Sequence, residues 1–433
     1  MGVPTGPPVP AVLVRNGFRH NGVVQTISLD ALERHFAAMD GVPRVVVGGN
    51  AATPWLVLDA IDRSIERYRI FALNSAKGIS ERPGVIAETP FVGPGMRHHP
   101  GLVYIPSRLS MVPLLFARTL PPDVVVLHCA PPQEGLLSLG IEVNILPAAV
   151  EACRARGGLV VAVINSRMPY TFGDSQIPVE AVDLAVEIDF ELPGAHRGSV
   201  DDSSHVIAES LAAMIDDGAT LQMGIGAVPD STLQALTARR GLRVWSEMFS
   251  DGLLDLDAAH ALDEGHPITA SFCFGSHRLY DWIDGNPRVA MLRTEKTNSP
   301  ALIAANPAMT SVNAALEVDL FGQTNASRIN ARIHSGYGGQ TDFIVGALHS
   351  PGGQAFIALP SWHSRANVST VVPLLDEPVT SFQQTAVVTE QGVARLLGYD
   401  EKTQARHLIE HAAHPSVRSE LWEEAQNLGL ASS

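Results

Sequence analysis

Short apolar runs rich in β-branched residues alternate along this chain with longer segments of helical periodicity, and this alternation constrains the fold most. Runs of four to eight apolar residues between turn signals are typical of buried strands. They occur at 44–47, 124–127, 159–165, 220–224, 289–292, 356–359 and 385–389. Strands that alternate with helices favour a parallel sheet. The sequence therefore predicts an α/β protein with mostly parallel strands.

A domain boundary is predicted near residue 200. The segment 193–204, PGAHRGSVDDSS, combines turn formers and charge without an apolar period, and a helical pattern follows at 205–217. We therefore predict two domains, residues 1–200 and 201–433.

A similar glycine turn occurs in each half of the chain. RVVVGGNAATP begins at Arg44 and TLQMGIGAVPD begins at Thr220. In both, a strand runs into glycines, and a proline then opens an apolar helix, with Thr53 as the predicted N-cap in the first half. Two halves of one underlying fold explain this repeat, and so do two ordinary strand-to-helix turns.

Composition narrows the function classes. Lys and Arg number 30 against 45 Asp and Glu, a net charge of −15, which argues against general attraction to nucleic acid or anionic membranes. No apolar run approaches the roughly 18 residues of a membrane span. Three cysteines exclude a disulfide framework and a cysteine-based zinc site. The first ten residues lack the pattern of a signal peptide, so a cytoplasmic location is expected.

One glutamate stands out as a candidate functional residue. Glu247 follows a short predicted strand and is flanked by apolar and hydroxyl residues in VWSEMFSDG. Burial of a charged carboxylate is costly and raises its pKa unless donors hold it. A turn or helix-capping carboxylate is the alternative interpretation.

Several glycine loops are candidates for binding an anion. Gly336, Gly338 and Gly339 lie within four positions, and glycines this dense leave backbone N–H groups unshielded, as an oxyanion hole requires. Gly224 and Gly226 form a second such turn, without the third glycine of a dinucleotide site or the GK[ST] of a P-loop. Arg97 in FVGPGMR could neutralise a phosphate. Plain tight turns remain the alternative for each loop.

A competing signal lies near the C-terminus. His407-Leu408-Ile409-Glu410-His411 matches the HxxEH pattern of inverted zinc peptidases, with His414 close behind. No motif for a third ligand is evident, so a solvated helix is the interpretation we adopt, and no metal site is predicted.

Taken in order, the segments of this chain resemble the acetyl-CoA hydrolase/transferase family, which contains 4-hydroxybutyrate CoA-transferase, within the class I CoA-transferases. The matching segments are VVVGG, FVGPGMR, APP, MPYTFGDS, LQMGIGAVPD, SEMFSDG, ALEVDLFGQTNA, SGYGGQTDF, VPLLD, VVTEQGVARLLG and AHP. Their order along residues 45–420 makes the resemblance more specific than any single motif.

The resemblance implies a role for individual residues. Glu247 would be the nucleophile that forms an acyl-glutamyl anhydride and then a glutamyl-CoA thioester. Backbone N–H groups of Gly338 and Gly339, with the turn 224–226, would stabilise the oxyanions, and Asn313 would lie near the nucleophile. The residues expected to bind substrate or coenzyme A are Gly224, Ile225, Gly226, Gly336, Gln340, Arg97 and Trp245.

The resemblance also implies an architecture and a function. It implies two related α/β domains with the active site in the cleft between them, usually in a homodimer. The substrates would be an acyl-CoA and a small carboxylic acid, with coenzyme A as a substrate and no tightly bound cofactor. Thioester hydrolysis on the same scaffold is the alternative, and a degenerate ligand-binding protein is a third hypothesis.

Two departures from the family pattern predict an unusual substrate. Trp245 stands where the family has His or Thr, and is expected to reshape the acyl side of the site. The segment 360–371, PSWHSRANVSTV, keeps only Arg365 as a basic residue.

Overall fold

Two mostly parallel sheets, one in each half of the chain, organise the computed structural model, which describes residues 25–194 and 201–431. The α/β fold class predicted from the sequence is confirmed. The N-terminal segment for which no signal peptide is predicted, and residues 195–200 of the predicted linker, lie outside the described residues. No helix in the described part of the chain is long and apolar enough to cross a bilayer.

The first sheet is built from seven strands whose neighbours are all parallel. Across the sheet they run Leu184–Ile188, Leu159–Asn165, Val124–Gln133, Arg44–Val47, Tyr68–Phe71, Val85–Thr89 and Leu102–Tyr104. Leu136–Ser138 and Gln176–Pro178 extend it as antiparallel additions. The central strands are apolar on both faces because helices and loops cover the sheet from both sides.

The second sheet has six strands, of which the last pair is antiparallel. Across the sheet they run Arg243–Val244, Thr220–Met223, Met309–Ala314, Gln354–Ala358, Ala386–Thr389 and Gly392–Arg395. The carboxyl ends of parallel strands share one edge, and ligand-binding loops are expected there.

The remaining elements are helices and short strand pairs. The α-helices are Leu29–Ala37, Trp55–Ser64, Val112–Arg118, Leu146–Ala155, Asp202–Ala213, Ala227–Ala235, Gly252–Ala258, His277–Ile283, Thr294–Thr297, Pro300–Ala304, Gln340–His349, Glu401–His411 and Arg418–Asn427. The short strands are Phe172–Gly173, Met248–Phe249, Ile268–Ala270, Phe272–Cys273, Val289–Met291, Glu317–Asp319, Thr324–Asn325, Arg328–Ile329, Arg332–Ile333, Trp362–His363, Val368–Ser369 and Val371–Val372.

Two local predictions at helix starts differ from the structure. The first glycine turn does lead into a helix, but Pro54 is its N-cap and provides no side-chain cap. Thr53 is not the cap, because its hydroxyl donates to the Asn50 carbonyl instead. The helix predicted at 205–217 begins earlier, at Asp202, because the Asp201 side chain accepts a hydrogen bond from the Ser204 N–H.

The two halves of the chain pack against each other and contribute to one hydrophobic core. One continuous hydrophobic cluster includes Val46 and Leu127 from the first sheet together with Leu221 and Phe356 from the second. The short strand Phe172–Gly173 of the first half also pairs with Val289–Met291 of the second. The division at residue 200 therefore separates the two large sheets but does not separate their cores.

Candidate active site

A cavity of about 220 Å³ lies at the carboxyl ends of the second sheet, and one residue of the first half of the chain also lines it. Its lining residues are Phe91, Gln222, Met223, Gly224, Glu247, Met248, Asn313, Ala314, Ala326, Ser335, Gly336, Tyr337, Gly338, Gly339, Gln340 and Phe343. Phe91 supplies the contact from the first half, and forms a β-bridge with Gly336.

Glu247 is placed in this cavity by the backbone on either side of it. It lies between the strands Arg243–Val244 and Met248–Phe249, and its carbonyl accepts hydrogen bonds from Ser271 N–H at 2.9 Å and Phe272 N–H at 3.2 Å. These bonds hold the main chain in an extended path, so the side chain projects into the cavity. Most of the residue's surface is buried.

The Glu247 carboxylate has one hydrogen-bond donor among the described side chains. Asn298 Nδ2 donates to Glu247 Oε2 at 3.0 Å. Burial is the main influence on this carboxyl group and raises its pKa to about 7, while the Asn298 bond lowers the pKa and the nearby Asp342 carboxylate raises it. The group therefore changes charge close to neutral pH, and its ionised form is poorly solvated.

Asn298 is held in one orientation by two hydroxyl groups. Its side-chain oxygen accepts from Thr297 Oγ1 at 2.9 Å and from Thr294 Oγ1 at 3.2 Å, and the residue is fully buried. With the amide oxygen occupied in this way, the amide nitrogen must face Glu247. The asparagine therefore positions one carboxylate oxygen and leaves the other for a ligand.

Gly339 closes over the same carboxylate. A Cβ added to Gly339 would lie 1.9 Å from Glu247 Oε2 and 2.3 Å from Asn298 Nδ2, so no larger residue fits. Gly338 has φ +55° and Gly339 has φ −98° and ψ −2°, the paired conformation of an anion-binding nest. In the described part of the chain, no acceptor bonds to the N–H of either glycine. Backbone donors are therefore available beside Glu247, at the start of the helix Gln340–His349.

The first half of the chain fixes this glycine loop. Leu109 N–H donates to the Gly338 carbonyl at 3.1 Å. Because the peptide is planar and trans, the N–H of Gly339 must point away from Leu109. Val92 N–H also donates to the Ser335 carbonyl at 2.8 Å, so the loop is held from both ends by first-half residues.

Asp342 is a second buried carboxylate, in the first turn of the helix Gln340–His349 that follows the glycine loop. It is 1% exposed, accepts from Ser110 N–H at 3.4 Å, and lies 3.8 Å from Arg108 Nη1. Burial raises its pKa to about 6, against the lowering effects of Ser110 and Arg108. These contacts place the segment Arg108–Ser110 of the first half against the first turn of the helix that follows the glycine loop.

The structure brings most of the residues implied by the resemblance together in the cavity. Glu247, the loop glycines and Gln340 line it, and so does Gly224. Asn313 lines it too, but its amide donates to Ser311 and Gln222 rather than to Glu247. Asn298, and not Asn313, is the asparagine that bonds to the Glu247 carboxylate, although the resemblance implies a place near the nucleophile for Asn313.

Four of the predicted residues lie outside the cavity lining. Ile225 is 53% exposed at the tip of the second turn, and Gly226, with φ +119°, starts the helix Ala227–Ala235. Arg97 Nε donates to the His334 carbonyl at 3.0 Å, which anchors the start of the glycine loop. Trp245 does not line the cavity, and its indole N–H donates to the Thr297 carbonyl at 3.0 Å.

Sequence reasoning missed Asn298 and Leu109. Asn298 lies in RTEKTNSP, a run of hydroxyl and amide residues between a buried strand and a helix-opening proline. That polar run after a strand was a usable signal. Leu109 acts through its backbone N–H, so its side chain carries no signal of this role.

The zinc-peptidase segment does not form a metal centre in the described chain. His407, Glu410 and His411 lie on the helix Glu401–His411, and His407 Nδ1 is 2.7 Å from the Arg395 carbonyl oxygen. Residues 25–194 and 201–431 contain no group of three or more His, Cys, Asp or Glu side chains placed to hold a metal ion.

Known proteins similar to this chain include CoA-transferases and acetyl-CoA hydrolases. The model of the acetyl-CoA hydrolase/transferase C-terminal domain matches residues 275–425. The chain is 39% identical over 333 residues to the 4-hydroxybutyrate coenzyme A transferase of Clostridium kluyveri, covering 74% of this chain and 76% of that protein. It is 33% identical over 406 residues to the succinyl-CoA:acetate/propanoyl-CoA:succinate CoA transferase of Fasciola hepatica, covering 87% and 83% of the two chains. The crystal structure of 4-hydroxybutyrate CoA-transferase from Porphyromonas gingivalis superposes with a TM-score of 0.78 at 30% identity, covering 93% and 98%.

Proposed function

This chain is an enzyme of the acetyl-CoA hydrolase/transferase family, and we propose that it moves coenzyme A between an acyl-CoA and a small carboxylic acid by way of Glu247. The observation that carries the mechanism is a buried carboxylate held on one oxygen by Asn298 and covered by Gly339. One oxygen is fixed, and the other remains for covalent chemistry.

In the first step, the Glu247 carboxylate attacks the carbonyl carbon of the acyl-CoA thioester. A tetrahedral intermediate forms, the carbon–sulfur bond breaks, and an acyl-glutamyl anhydride and the CoA thiolate result. The thiolate then attacks the glutamyl carbonyl carbon and releases the acyl group as a carboxylate. The enzyme now carries coenzyme A as a glutamyl thioester.

The second substrate reverses these steps. Its carboxylate attacks the glutamyl thioester, CoA leaves, and the returning thiolate attacks the acyl carbon of the new anhydride. The product acyl-CoA forms and Glu247 is regenerated as a carboxylate. Each half exchanges a thioester for a carboxylate, so no net proton is consumed and no general acid is required.

The backbone N–H groups of Gly338 and Gly339 are proposed to stabilise the oxyanions. Each such donor typically contributes on the order of 10²-fold to 10³-fold to the rate. Their support is the nest conformation beside Glu247 and the Leu109 bond that fixes the peptide between them. The first half of the chain thereby takes part in catalysis without supplying a reacting side chain.

Water exclusion decides between transfer and hydrolysis, because water competes for the same anhydride and thioester. The experiment is incubation with propionyl-CoA and isotopically labelled acetate, followed by mass spectrometry of the CoA esters. Labelled acetyl-CoA indicates transfer, whereas free CoA without a new ester indicates the hydrolase alternative. Neither product from a panel of acyl-CoAs and acids would contradict the proposal.

Assembly, cofactor content and location stay predictions, the location from the sequence pattern and the other two from the resemblance. The homodimer, the cytoplasmic location and the lack of a tightly bound cofactor belong to this group. Sedimentation analysis of the purified chain tests the first of them.

A further inference from the structure

A carboxylate is buried in the first half of the chain, outside the lining of the cavity. Glu142 is 1% exposed, and the partners that residues 25–194 and 201–431 supply to it are all neutral N–H groups. Its Oε1 accepts from the Gly49 N–H at 3.0 Å and from the side-chain amides of Asn50 and Asn144 at 2.9 and 3.0 Å. Its Oε2 accepts from the Asn50 N–H at 3.1 Å. A carboxylate buried without a cation is costly, so its position requires an explanation.

Glu142 fills the first glycine turn of the chain, residues 48–50. The backbone N–H groups of such a turn are the donors that an anionic ligand would use, and here the chain's own carboxylate accepts from them. A Cβ added to Gly48 would lie 3.0 Å from Glu142 Oε2, and one added to Gly49 would lie 1.7 Å from the Leu73 carbonyl oxygen. The turn therefore closes tightly around the carboxylate and fixes its place.

Asn144 is the partner of Glu142 that has an unfavourable backbone conformation. Its φ is +24°, in the left-handed region that residues other than glycine rarely adopt. Both ends of its side-chain amide are bound, since Nδ2 donates to Glu142 and Oδ1 accepts from the Ile145 N–H at 2.6 Å. The Glu142 carboxylate therefore helps to hold a main-chain conformation that would otherwise relax.

The main chain of Asn144 is connected to the nucleophile. Its carbonyl oxygen accepts from the Thr294 N–H at 3.0 Å. The Thr294 hydroxyl donates to Asn298 Oδ1, and Asn298 Nδ2 donates to the Glu247 carboxylate. The three residues between the two carboxylates are each 3% exposed or less. A continuous buried set of hydrogen bonds thus joins the carboxylate of the first half to the one in the cavity.

Building on the proposed function, we propose that Glu142 is a positioning residue for acyl transfer, which holds Asn144 and thereby keeps the Asn298 amide against the Glu247 carboxylate. Glu142 does not line the cavity, so its effect is on geometry. Displacement of a reacting group by about 1 Å can lower a rate by about 10²-fold. A residue that only stabilised the fold would change the melting temperature but leave kcat and the ionisation of Glu247 as they are.

The first test is Asn144→Gly, measured as kcat, KM and the pH profile of kcat/KM. Glycine adopts φ +24° without strain, so the fold should be retained, while loss of the amide separates the main chain at residue 144 from Glu142. We expect kcat to fall by about 10-fold with little change in the KM for acyl-CoA. The acidic limb should move to higher pH, because a displaced Asn298 lowers the pKa of Glu247 less. Asp342, the charged group that also acts on this pKa, is not altered by the substitution.

Asn74→Gly is the matched control for the pH profile. Asn74 also has a positive φ, +49°, and its Nδ2 donates to Asn50 Oδ1 at 3.0 Å, so it reaches Glu142 through Asn50 and not through Asn144. This change should leave the acidic limb at its wild-type position. Equal movement of the limb in both variants would overturn the inference, because general loosening of the network would then account for it.

A double-mutant cycle with Asn298→Ala tests the route from Asn144 to the nucleophile. If Asn144 acts through Asn298, Asn144→Gly should lower kcat by about 10-fold in the wild type but by less than about 2-fold in the Asn298→Ala background. Full additivity of the two effects would overturn the inference.

Glu142→Gln tests the carboxylate itself. A glutamine amide turned either way sets an N–H against an N–H donor of the turn, so at least one hydrogen bond is lost. We expect the acidic limb to move in the same direction as in Asn144→Gly. Glu88→Gln is the control for stability, because Glu88 is a carboxylate of the first sheet with 2% exposure whose partners are Arg44 and Arg69. It should lower the melting temperature without moving the limb.

The remaining outcomes separate this inference from the proposed function. A lower melting temperature in Glu142→Gln, with an unchanged kcat and acidic limb, would show that the carboxylate only stabilises the fold and would overturn the inference while leaving CoA transfer intact. A wild-type kcat in Asn144→Gly would have the same meaning, and this variant decides the question if Glu142→Gln does not fold. Absence of acyl transfer by the wild type would overturn the proposed function itself.

Discussion

Gly339 and Glu247 are in such close contact that the glycine has no room for a side chain, since a Cβ at residue 339 would lie 1.9 Å from Glu247 Oε2. The same glycine follows one of positive φ and precedes a helix. One residue therefore covers the carboxylate, contributes an N–H with no acceptor among the described residues, and starts a helix whose dipole favours negative charge nearby.

Gly339→Ala should strongly reduce acyl transfer, because the added methyl group must displace the Glu247 carboxylate or the Asn298 amide. We expect kcat to fall by about 10²-fold or more, since small misplacements of reacting groups carry costs of that size. Gly78→Ala is the control, because Gly78 is exposed, has no positive φ and has nothing within 4 Å of an added Cβ. Normal activity in Gly339→Ala would show that the carboxylate is not held as described.

The rate should depend on the ionisation of Glu247 near neutral pH. Its pKa is raised to about 7, and only the ionised form is a nucleophile, so kcat/KM should fall as pH drops below about 7. Asn298→Ala removes the donor that lowers this pKa, which should move the acidic limb of the profile to higher pH. Profiles from pH 5.5 to 9 test both statements. An acidic limb that moves to lower pH in Asn298→Ala would contradict the assignment.

The contact between Leu109 and Gly338 should affect kcat through the backbone hydrogen bond and not through the leucine side chain. Leu109→Pro removes the N–H that donates to Gly338, and Arg108, with φ −70° and ψ 154°, already has a conformation that a following proline accepts. Leu109→Ala is the matched variant, because it loses the side chain but keeps the N–H. We expect Leu109→Pro to have a kcat about 10-fold or more below that of Leu109→Ala. Equal kcat values would show that this peptide does not orient an oxyanion donor.

Glu247→Gln should stabilise the fold at alkaline pH while removing activity. The folded state raises the pKa of Glu247 from an ordinary 4.5 to about 7, so it holds the proton more tightly than the unfolded chain does. The wild type therefore loses stability as pH rises from about 4.5 to about 7, by up to about 3 kcal/mol. Glutamine has no charge to bury, so the variant should melt higher than the wild type at pH 8. The two should melt alike near pH 4, and a lower melting temperature for the variant at pH 8 would contradict this account.

The sequence predicts a strand correctly where a continuous apolar run marks it as buried. The run at 159–165 is apolar throughout, and it forms the strand Leu159–Asn165 at the predicted bounds. The N-cap assigned to Thr53 was wrong because its hydroxyl has a competing acceptor, the Asn50 carbonyl, three residues back. The preference of threonine for N-cap positions does not indicate whether its hydroxyl will cap the helix or bond to a nearby carbonyl.

Only part of the candidate site could be predicted from the sequence. Glu247 and the loop glycines stand in recognisable segments, but Asn298 is 51 residues from Glu247 in sequence and meets it only through the tertiary fold. The Leu109 contact joins the two halves through main-chain atoms. Trp245 lies two positions from Glu247 in sequence, yet it is outside the cavity lining and its indole N–H bonds to the last residue of the helix Thr294–Thr297.

The most direct test of the central claim is to trap the covalent intermediate. The enzyme is incubated with an acyl-CoA substrate, quenched with hydroxylamine or borohydride, digested and analysed by peptide mass spectrometry. A modification confined to the peptide carrying Glu247, present in the wild type and absent in Glu247→Gln, is the predicted result. An active enzyme that turns over acyl-CoA with no adduct at Glu247, or with the adduct on another residue, would contradict the account.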